Sequence, residues 1–393
     1  MNSTTAQVTN DDLFSTKPGT LAGRYLRTFW QPVFRSEDLA RERAYPIRIM
    51  GEDLVVYRGS SGRAHLAQGY CPHRATQIST GWVEGEAIRC RYHGWKFDED
   101  GSCSERPGED PAFSSRVRLQ TYPVQEYLGL VFAYLGEGEP PPMRRFTDFE
   151  RSGVLECGPP EFWPCNYYNR IDNAADIMHL MYTHRLSVER AGHHWRLETP
   201  ASSAEETEYG VRSSEVRPGR PTAYAHFHMP NINQIRSRAR IEGTMADAAK
   251  LWGDRLFWRV PVDDNNCVSY VLDYFPLFGA EAAAYSGRRR DTQQHGLDAI
   301  NKTGASILRG ESRIEDLGTD LSIYKTFWIE DYCVQVGQKP ISNSRSEHHG
   351  RIDGGVLLVR KLWRRELEAL ANGRPLTRWL TPAGLAEMSE ELV

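Results

Sequence analysis

The stretch Cys71-Pro72-His73-Arg74 is answered by Cys90-Arg91-Tyr92-His93-Gly94-Trp95. Each half offers one thiol and one imidazole, spaced C-x-H in the first and C-x-x-H in the second. Two thiolates suit one iron and two neutral imidazoles suit another. That is the ligand set of a [2Fe–2S] cluster in which two histidines replace two cysteines on one metal. Pro72 and Gly94 suit the tight, irregular loops that would clamp such a cluster from opposite sides. The same four residues could form a structural zinc site or be unrelated core residues. Zinc knuckles seldom pair C-x-H with C-x-x-H, which favours the cluster.

The flanking sequence is β-like. Tyr45–Met50 and Leu54–Arg58 are strand runs about Gly51-Glu52-Asp53, and Ala64–Gln68 delivers Cys71. Ile88–Cys90 and Trp95–Phe97 bracket the second ligand loop. Asp98-Glu99-Asp100-Gly101 reads as a hairpin turn, and Leu130–Tyr134 as a closing strand. Leu21–Trp30 is a short helix candidate preceded by a loose or lightly docked arm. The Gly- and Pro-rich run Gly136–Pro142 marks a boundary. The expected domains are 1–28 (arm and short helix), 29–138 (cluster domain) and 139–393 (catalytic domain).

The second domain mixes helix and strand. Arg170–Tyr182 reads as a helix, and 210–217, 222–229 and 232–242 as strands. Phe257–Val262 and Cys267–Leu272 flank a turn at Asp263-Asp264-Asn265-Asn266. A long helix runs from Asp353-Gly354-Gly355, with Asp353 as N-cap, to about Ala371, where Asn372-Gly373 stops it.

At the end of the first of these helices and just beyond it lies a second histidine pair, His179 and His184. Two histidines and a distant carboxylate make the facial triad of a non-haem Fe(II) site that leaves positions open for O₂. The two are five residues apart, about 140° round a regular helix. Both cannot face one metal from such a helix, so it is expected to bend, unwind or bulge between Leu180 and Thr183. Asp176 lies three residues before His179 on the same face, placed to orient a ligand histidine.

With these motifs the chain resembles the Rieske non-haem iron oxygenases, the large (alpha) subunits of aromatic-ring hydroxylating oxygenases, over nearly its whole length. The C-P-H-R and C-R-Y-H-G-W-K-F-D runs match that family, as does D-x-x-H-x-x-x-x-H at Asp176, His179 and His184. The resemblance implies an α+β fold. A small antiparallel β Rieske domain would precede a larger catalytic domain whose antiparallel sheet wraps a long C-terminal helix in helix-grip fashion. It implies a Rieske [2Fe–2S] cluster on Cys71, His73, Cys90 and His93, and a mononuclear Fe(II) on His179, His184 and a late carboxylate. Trp328–Gln335 resembles the region supplying that carboxylate. Asp331 is the expected ligand, Glu330 the adjacent competitor, and Glu315, Asp316 and Asp320 weaker ones. By the same resemblance Asp176 is an electron bridge from His179 to His93 of the partner subunit, which implies a head-to-tail homotrimer or stacked trimers. Gly337–Ile341 and Arg345–His348, followed by the long helix, look like the phthalate-dioxygenase-like branch, which includes O-demethylases.

The chain has 393 residues, enough for two domains. A formal net charge of −4 gives no basic footprint for nucleic acid. No apolar run reaches the roughly 18 residues of a membrane helix, and Met1–Phe14 lacks an apolar signal core, so a soluble, cytoplasmic protein is expected. Of seven cysteines, the five outside the cluster show no paired spacing and read as reduced thiols. No G-x-G-x-x-G fingerprint is present. Electrons must therefore reach the chain from a separate reductase, directly or through a ferredoxin, with NAD(P)H as their source and O₂ as co-substrate.

The substrate is expected to be a small aromatic, carboxylated molecule. Arg236, Arg238 and Arg240 share one strand face by alternation; they read first as solvated, but facing inward they would suit a carboxylate. His226-Phe227-His228-Met229-Pro230-Asn231 is placed on or near a pocket-lining strand, against a plain strand edge with ordinary histidines. His193-His194 and His348-His349 read as surface pairs. Two other classes compete: a Rieske electron carrier without oxygenase activity, and a zinc-stabilised ligand-binding protein.

Overall fold

The computed structural model describes residues 7–110, 117–192, 198–238, 252–285 and 297–385. The chain divides into two compact units. One comprises Ser15–Met143 with Val260–Asp264. The other joins the segment ending at Phe14 to Arg144–Arg259 and to the chain from Asn265 onward.

The first unit holds short helix α2 (Leu21–Arg27); α1 (Asn10–Phe14) precedes it and belongs to the other unit. Its strands are β1 (Gln31–Arg35), β2 (Arg43–Ile49), β3 (Glu52–Arg58), β4 (Ala64–Gln68), β5 (Trp82–Glu84), β6 (Ala87–Arg89), β7 (Lys96–Phe97), β8 (Cys103–Glu105), β9 (Thr121–Tyr122), β10 (Val124–Tyr127) and β11 (Leu130–Ala133). They form three small sheets, ordered β1-β11-β10, β2-β3-β4-β9 and β5-β6-β7-β8. Leu54-Val55-Val56-Tyr57 is an unbroken buried run because β3 lies inside its sheet rather than at an edge. The core gathers Val55, Tyr57, Ile78, Ile88, Trp95 and Phe97 around Cys71 and Cys90. The turn at Asp98 closes through Gly101 N–H donating to Asp98 O at 2.8 Å. Gly101 has φ +82, and a Cβ there would sit 2.0 Å from Leu119 O, so only glycine fits.

The second unit is built on an eight-stranded sheet. β12 (Val154–Cys157) leads into β13 (Glu161–Trp163), and both pair antiparallel with β19 (Cys267–Phe275). β14 (Ala201–Thr207), β15 (Gly210–Val216), β16 (Ala223–His228), β17 (Ile232–Arg238) and β18 (Trp252–Pro261) form an antiparallel meander. Around it lie α3 (Tyr167–Ala175), α4 (His179–Thr183), α5 (Arg185–Arg190), α6 (Leu297–Leu308), α7 (Ile323–Val336) and α8 (Gly354–Ala371). Helix α8 starts after Asp353 and is followed by Gly373 at φ +62, where the sequence placed its ends, although the Asp353 carboxylate accepts from Gly350 N and does not cap the helix. It packs on β14, β15 and α3, burying Leu362 and Trp363 completely. The Trp363 indole donates to Pro230 O at 3.0 Å. This is the α+β architecture expected, with its antiparallel sheet around a long C-terminal helix. No helix among the described residues is long and apolar enough to cross a membrane.

Alternation sorts β16 and β17 into two faces. Ala225 pairs with Ile235, and Ile235 with Arg255; Phe227 pairs with Asn233, and Asn233 with Phe257. Ala223, Ala225 and Ile235 pack with Leu180 of α4, and Asn233 Nδ2 donates to Ala174 O of α3 at 3.5 Å. That face therefore looks toward the helices carrying His179 and His184. His226 and His228 occupy the opposite face and are fully buried. Strand β16 is interior to its sheet, not an edge, so only Phe227 of this triplet faces the helices. Arg236 also falls on the far face, opposite Asp254, so the inward alternative does not hold for it. Arg240, the end of the 232–242 strand candidate and His193-His194 lie outside the described residues.

Burial, with the Arg212 charge adding to it, pushes the His226 imidazole down to about 4, against about 6.5 when unfolded. A depressed histidine favours folding above the unfolded value and loses that contribution as pH falls toward the folded one. Urea unfolding is expected to show about 2 kcal/mol lost from this residue between pH 7 and pH 5. The variant His226→Phe should show a correspondingly flatter profile; an unchanged slope would count against this assignment.

Candidate metal centres

The first constellation sits at two loops, one following β4 and one joining β6 to β7. Cys71 N–H donates to Thr76 O at 2.8 Å and Ala75 N–H to Cys71 O at 2.9 Å; Cys90 N–H donates to Trp95 O at 2.8 Å and Gly94 N–H to Cys90 O at 3.0 Å. Each loop closes by the same bond, four residues apart, on a residue with positive φ (Ala75 at 52°, Gly94 at 73°). Gly94 announces this in the sequence; Ala75 does not. Cys71 and Cys90 are each 2 % exposed and lie deepest, while His73 and His93 are half-buried. The imidazole centroids are 4.7 Å apart, and His73 stacks on Trp95 at 4.3 Å. Burial pushes the Cys71 thiol up to about 12, and the Cys90 sulfur adds to this, while backbone N–H groups of His73 and Arg74 favour the thiolate. Two buried sulfurs side by side with two imidazoles outside them fit the donor set of a histidine-ligated [2Fe–2S] cluster.

The second constellation is more compact. Ligand atoms of His179, His184 and Asp331 all lie within 4.8 Å of one another. Asp331 Oδ1 is 3.8 Å from His179 Nε2 and 3.5 Å from His184 Nε2. Both His184 Nε2 and Asp331 Oδ1 are buried without a hydrogen-bond partner among the described residues. Orphaned buried acceptors facing one point fit a bound cation.

The chain reaches this geometry by breaking its helix twice, but not where the periodicity argument put the break. Helix α3 ends at Ala175, and α4 begins only at His179. Asp176 Oδ1 accepts from Met178 N at 2.9 Å and His179 N at 3.3 Å, capping the new helix. The second interruption is at His184 itself, whose ψ of 23° parts α4 from α5. Leu180–Thr183, the predicted site of distortion, stays helical. A polar cap ahead of the pair and a twisted backbone at its end reorient the rings at less cost than a bulge between them.

What holds each ring differs from expectation as well. His179 Nδ1 bonds to the backbone carbonyl of Asp176, not to its carboxylate. Among the described residues Asp176 Oδ2 takes no hydrogen bond. Glu330, weighed as a rival ligand, stands behind His184: its Oε2 lies 3.3 Å from Nδ1 and accepts from Ser187 Oγ at 2.5 Å, while Oε1 accepts from Ser187 N at 3.2 Å. Both imidazoles thus have Nδ1 engaged, leaving Nε2 for a metal. Phe327, one turn before Asp331, stacks on His184 at 3.3 Å between centroids. Nothing in the sequence singled out Phe327 or Ser187. Glu315, Asp316 and Asp320 are exposed and outside the group.

Electrostatics match this layout. Burial alone would raise the Asp331 carboxyl, yet His184 and His179, with Arg170 behind them, hold it far below the carboxylate range. Burial lowers His179, whereas Asp331 and Glu330 outweigh burial at His184 and raise it. Glu330→Gln is expected to weaken iron binding at the second centre by about ten-fold or more. Chelator competition checks this; unchanged affinity would remove Glu330 from that role.

A third acid–histidine group, His65 with Glu86 and Glu99, already holds Arg63, 3.7 Å from Glu86 and 2.6 Å from Glu99. An open cavity flanks the second centre, lined by Asp172, Asp176, His179, Glu347, His348 and Arg360.

Comparison with known proteins shows what the chain is similar to. Residues 29–123 match the model of the Rieske [2Fe-2S] domain. The chain is 27 % identical over 383 residues to the 5,5'-dehydrodivanillate O-demethylase oxygenase subunit of Sphingobium sp., covering 93 % of this chain and 81 % of that one. It is 30 % identical over 378 residues to the phenoxybenzoate dioxygenase subunit alpha of Ectopseudomonas oleovorans, covering 90 % and 84 %. Among solved structures, the NdmA QL mutant of Pseudomonas putida CBB5 with caffeine aligns with a TM-score of 0.64 at 18 % identity, over 89 % of this chain and 93 % of that one, a likeness of fold.

Proposed function

The chain belongs to the Rieske non-haem iron oxygenases, as a large (alpha) subunit, and from that premise we propose how its own residues divide the work on a small aromatic substrate. It is a terminal oxygenase component that carries a [2Fe–2S] Rieske cluster and a mononuclear iron and uses O₂. The cluster supplies electrons singly, and the mononuclear iron supplies a place for O₂ beside the organic molecule. Cys71, His73, Cys90 and His93 would hold the first, and His179, His184 and Asp331 the second. The observation that carries the reading is the buried triad with its two orphaned acceptors.

Each supporting residue then has a task. Asp176 O and Glu330 fix the two histidine tautomers. Ser187 holds Glu330 in place, so that it stays behind His184 rather than entering the metal site. The unengaged Oδ2 of Asp176 would accept from His93 of the partner subunit in a head-to-tail ring, a homotrimer or stacked trimers. Electrons would come in the cytoplasm from an NAD(P)H-dependent reductase, with or without a ferredoxin.

Aromatic O-demethylation and ring dihydroxylation remain the two forms of this chemistry, as in the relatives named above. Holoenzyme, a surrogate reductase and NADH, given methoxylated and unsubstituted aromatic acids, would separate them. Formaldehyde matched to O₂ uptake means demethylation; a cis-dihydrodiol without formaldehyde means ring dioxygenation. No substrate-dependent O₂ uptake across the panel would overturn the reading.

A further inference from the structure

Helix α8 opens on two glycines, Gly354 and Gly355, although glycine weakens a helix relative to alanine. Their surroundings differ. A Cβ on Gly354 would meet nothing within 4 Å. One on Gly355 would lie 2.4 Å from the carbonyl oxygen of Ala175, the last residue of α3, and 3.3 Å from Ser213 Oγ. The negative end of α3 thus abuts the positive end of α8, a favourable placing of two helix dipoles. Only glycine lets the two backbones come so close.

That approach ends a longer seam between the two helices. Tyr168 packs edge-on against Trp363, with ring centroids 5.5 Å apart. Asp172 takes the Arg360 guanidinium on both oxygens, Nε donating to Oδ1 at 3.0 Å and Nη2 to Oδ2. Tyr168, Asp172 and Ala175 of α3 therefore meet Trp363, Arg360 and Gly355 of α8 in antiparallel order, at the i, i+4, i+7 spacing of one helix face. Arg360 also donates to Glu347, from Nη1 at 2.7 Å and Nη2 at 3.0 Å, and Glu347 pairs with Arg345 at 2.7 Å. Two guanidiniums balance two carboxylates, so the fork on Asp172 is fixed from behind. Asn233 Nδ2 of β17 adds a bond to the neighbouring Ala174 carbonyl.

What the seam holds is the chain leading into Asp176. That residue ends α3, its N–H donating to Asn173 O at 3.2 Å. Its Oδ1 caps α4 at Met178 and His179, and its carbonyl engages His179 Nδ1. It follows Ala175 directly, so a shift of the Ala175 carbonyl passes to all of these bonds. We propose that Gly355 and Arg360 of α8 are positioning residues for Asp176. Close packing at the glycine and the ion pair at the arginine fix the last turn of α3, and with it the setting of the His179 ring and of Asp176 Oδ2. The role of Asp176 in electron transfer rests on the oxygenase reading; the hold on its backbone does not.

The adjacent glycines supply the test. Gly354→Ala and Gly355→Ala make the same gain in helix propensity, and only the second sets a methyl group against Ala175 O. Relaxing that 2.4 Å contact to an ordinary 3.4 Å moves the carbonyl by about 1 Å (3.4 minus 2.4), a displacement that costs on the order of a hundred-fold at a reacting site. With both centres loaded, the prereduced cluster of Gly355→Ala should reoxidise in air at least about thirty-fold more slowly than the native one, in the presence of the aromatic acid that gives the fastest O₂ uptake. In protein stripped of mononuclear iron, the Met178 and His179 amides should exchange hydrogen about five-fold faster, the value of the cap. Gly354→Ala should match the native protein in both. If Gly355→Ala does not fold, Arg360→Lys, which keeps the charge but loses the two-pronged bond, is measured in the same way. A native value in either measurement would overturn the proposal, as would equal effects of the two glycine variants. A native chain whose cluster never reoxidises with any acid removes the oxygenase reading, and the amide exchange then decides the hold on Asp176 by itself.

Discussion

Replacing Asp331 with alanine is expected to strip the mononuclear iron while leaving the cluster and its red-brown colour intact. The carboxylate is the only anionic donor in the triad, and its Oδ1 stands 3.5 Å and 3.8 Å from the two Nε2 atoms with no competing bond. Two neutral imidazoles alone bind divalent iron far more weakly than the complete facial set. The adjacent Glu330 cannot take over, because it is tied to His184 and Ser187. Iron per chain should fall from about three to about two, and substrate turnover by at least about a thousand-fold. Iron and sulfide analysis of the purified variant decides the matter. Three irons retained in Asp331→Ala would mean that another carboxylate completes the site.

Asp176→Asn is expected to leave both iron contents unchanged and still to cost about a hundred-fold or more in turnover. Asparagine keeps an oxygen for the cap on Met178 and His179, and the backbone carbonyl that holds His179 is untouched. What it loses is the negative charge on the free side of the group, the feature proposed to engage the partner subunit. Reducing the cluster chemically and following its reoxidation in the presence of substrate would show the step directly, slow in the variant. Asp176→Ala should add about 1 kcal/mol of lost stability by removing the cap as well. Reoxidation at the native rate in Asp176→Asn would confine Asp176 to a structural role.

The site was legible to different depths. Cys71, His73, Cys90 and His93, the proposed cluster ligands, stand out directly in the sequence as short, spaced pairs. His179 and His184 could be read as a pair, and the incompatibility of their spacing with a straight helix foretold a break. Its position was not foretold. Whether the turn opens before His179 or after it depends on which side chain caps the new helix, and Asp176 does so through local hydrogen bonds. The preference for Asp331 over Glu330 came from the family resemblance and not from spacing. Adjacent residues on a helix differ by about 100° in direction, and only the packing of α7 against α4 and α5 decides which faces the histidines.

The sequence by itself determined the two metal-ligand patterns, the long C-terminal helix with its caps and the strands of the large sheet. All of these are set by local spacing and local backbone preference. The tertiary structure alone decided which polar groups became neighbours without partners. His184 and Asp331 are 147 residues apart (331 minus 184), yet their partnerless Nε2 and Oδ1 atoms face each other in the folded chain. The inward arginine face kept as an alternative for Arg236 is turned, in the fold, to the opposite side of β17. Charge compensation in a protein interior is a property of the folded neighbourhood, because burial sets its cost and distant residues supply the counter-charge.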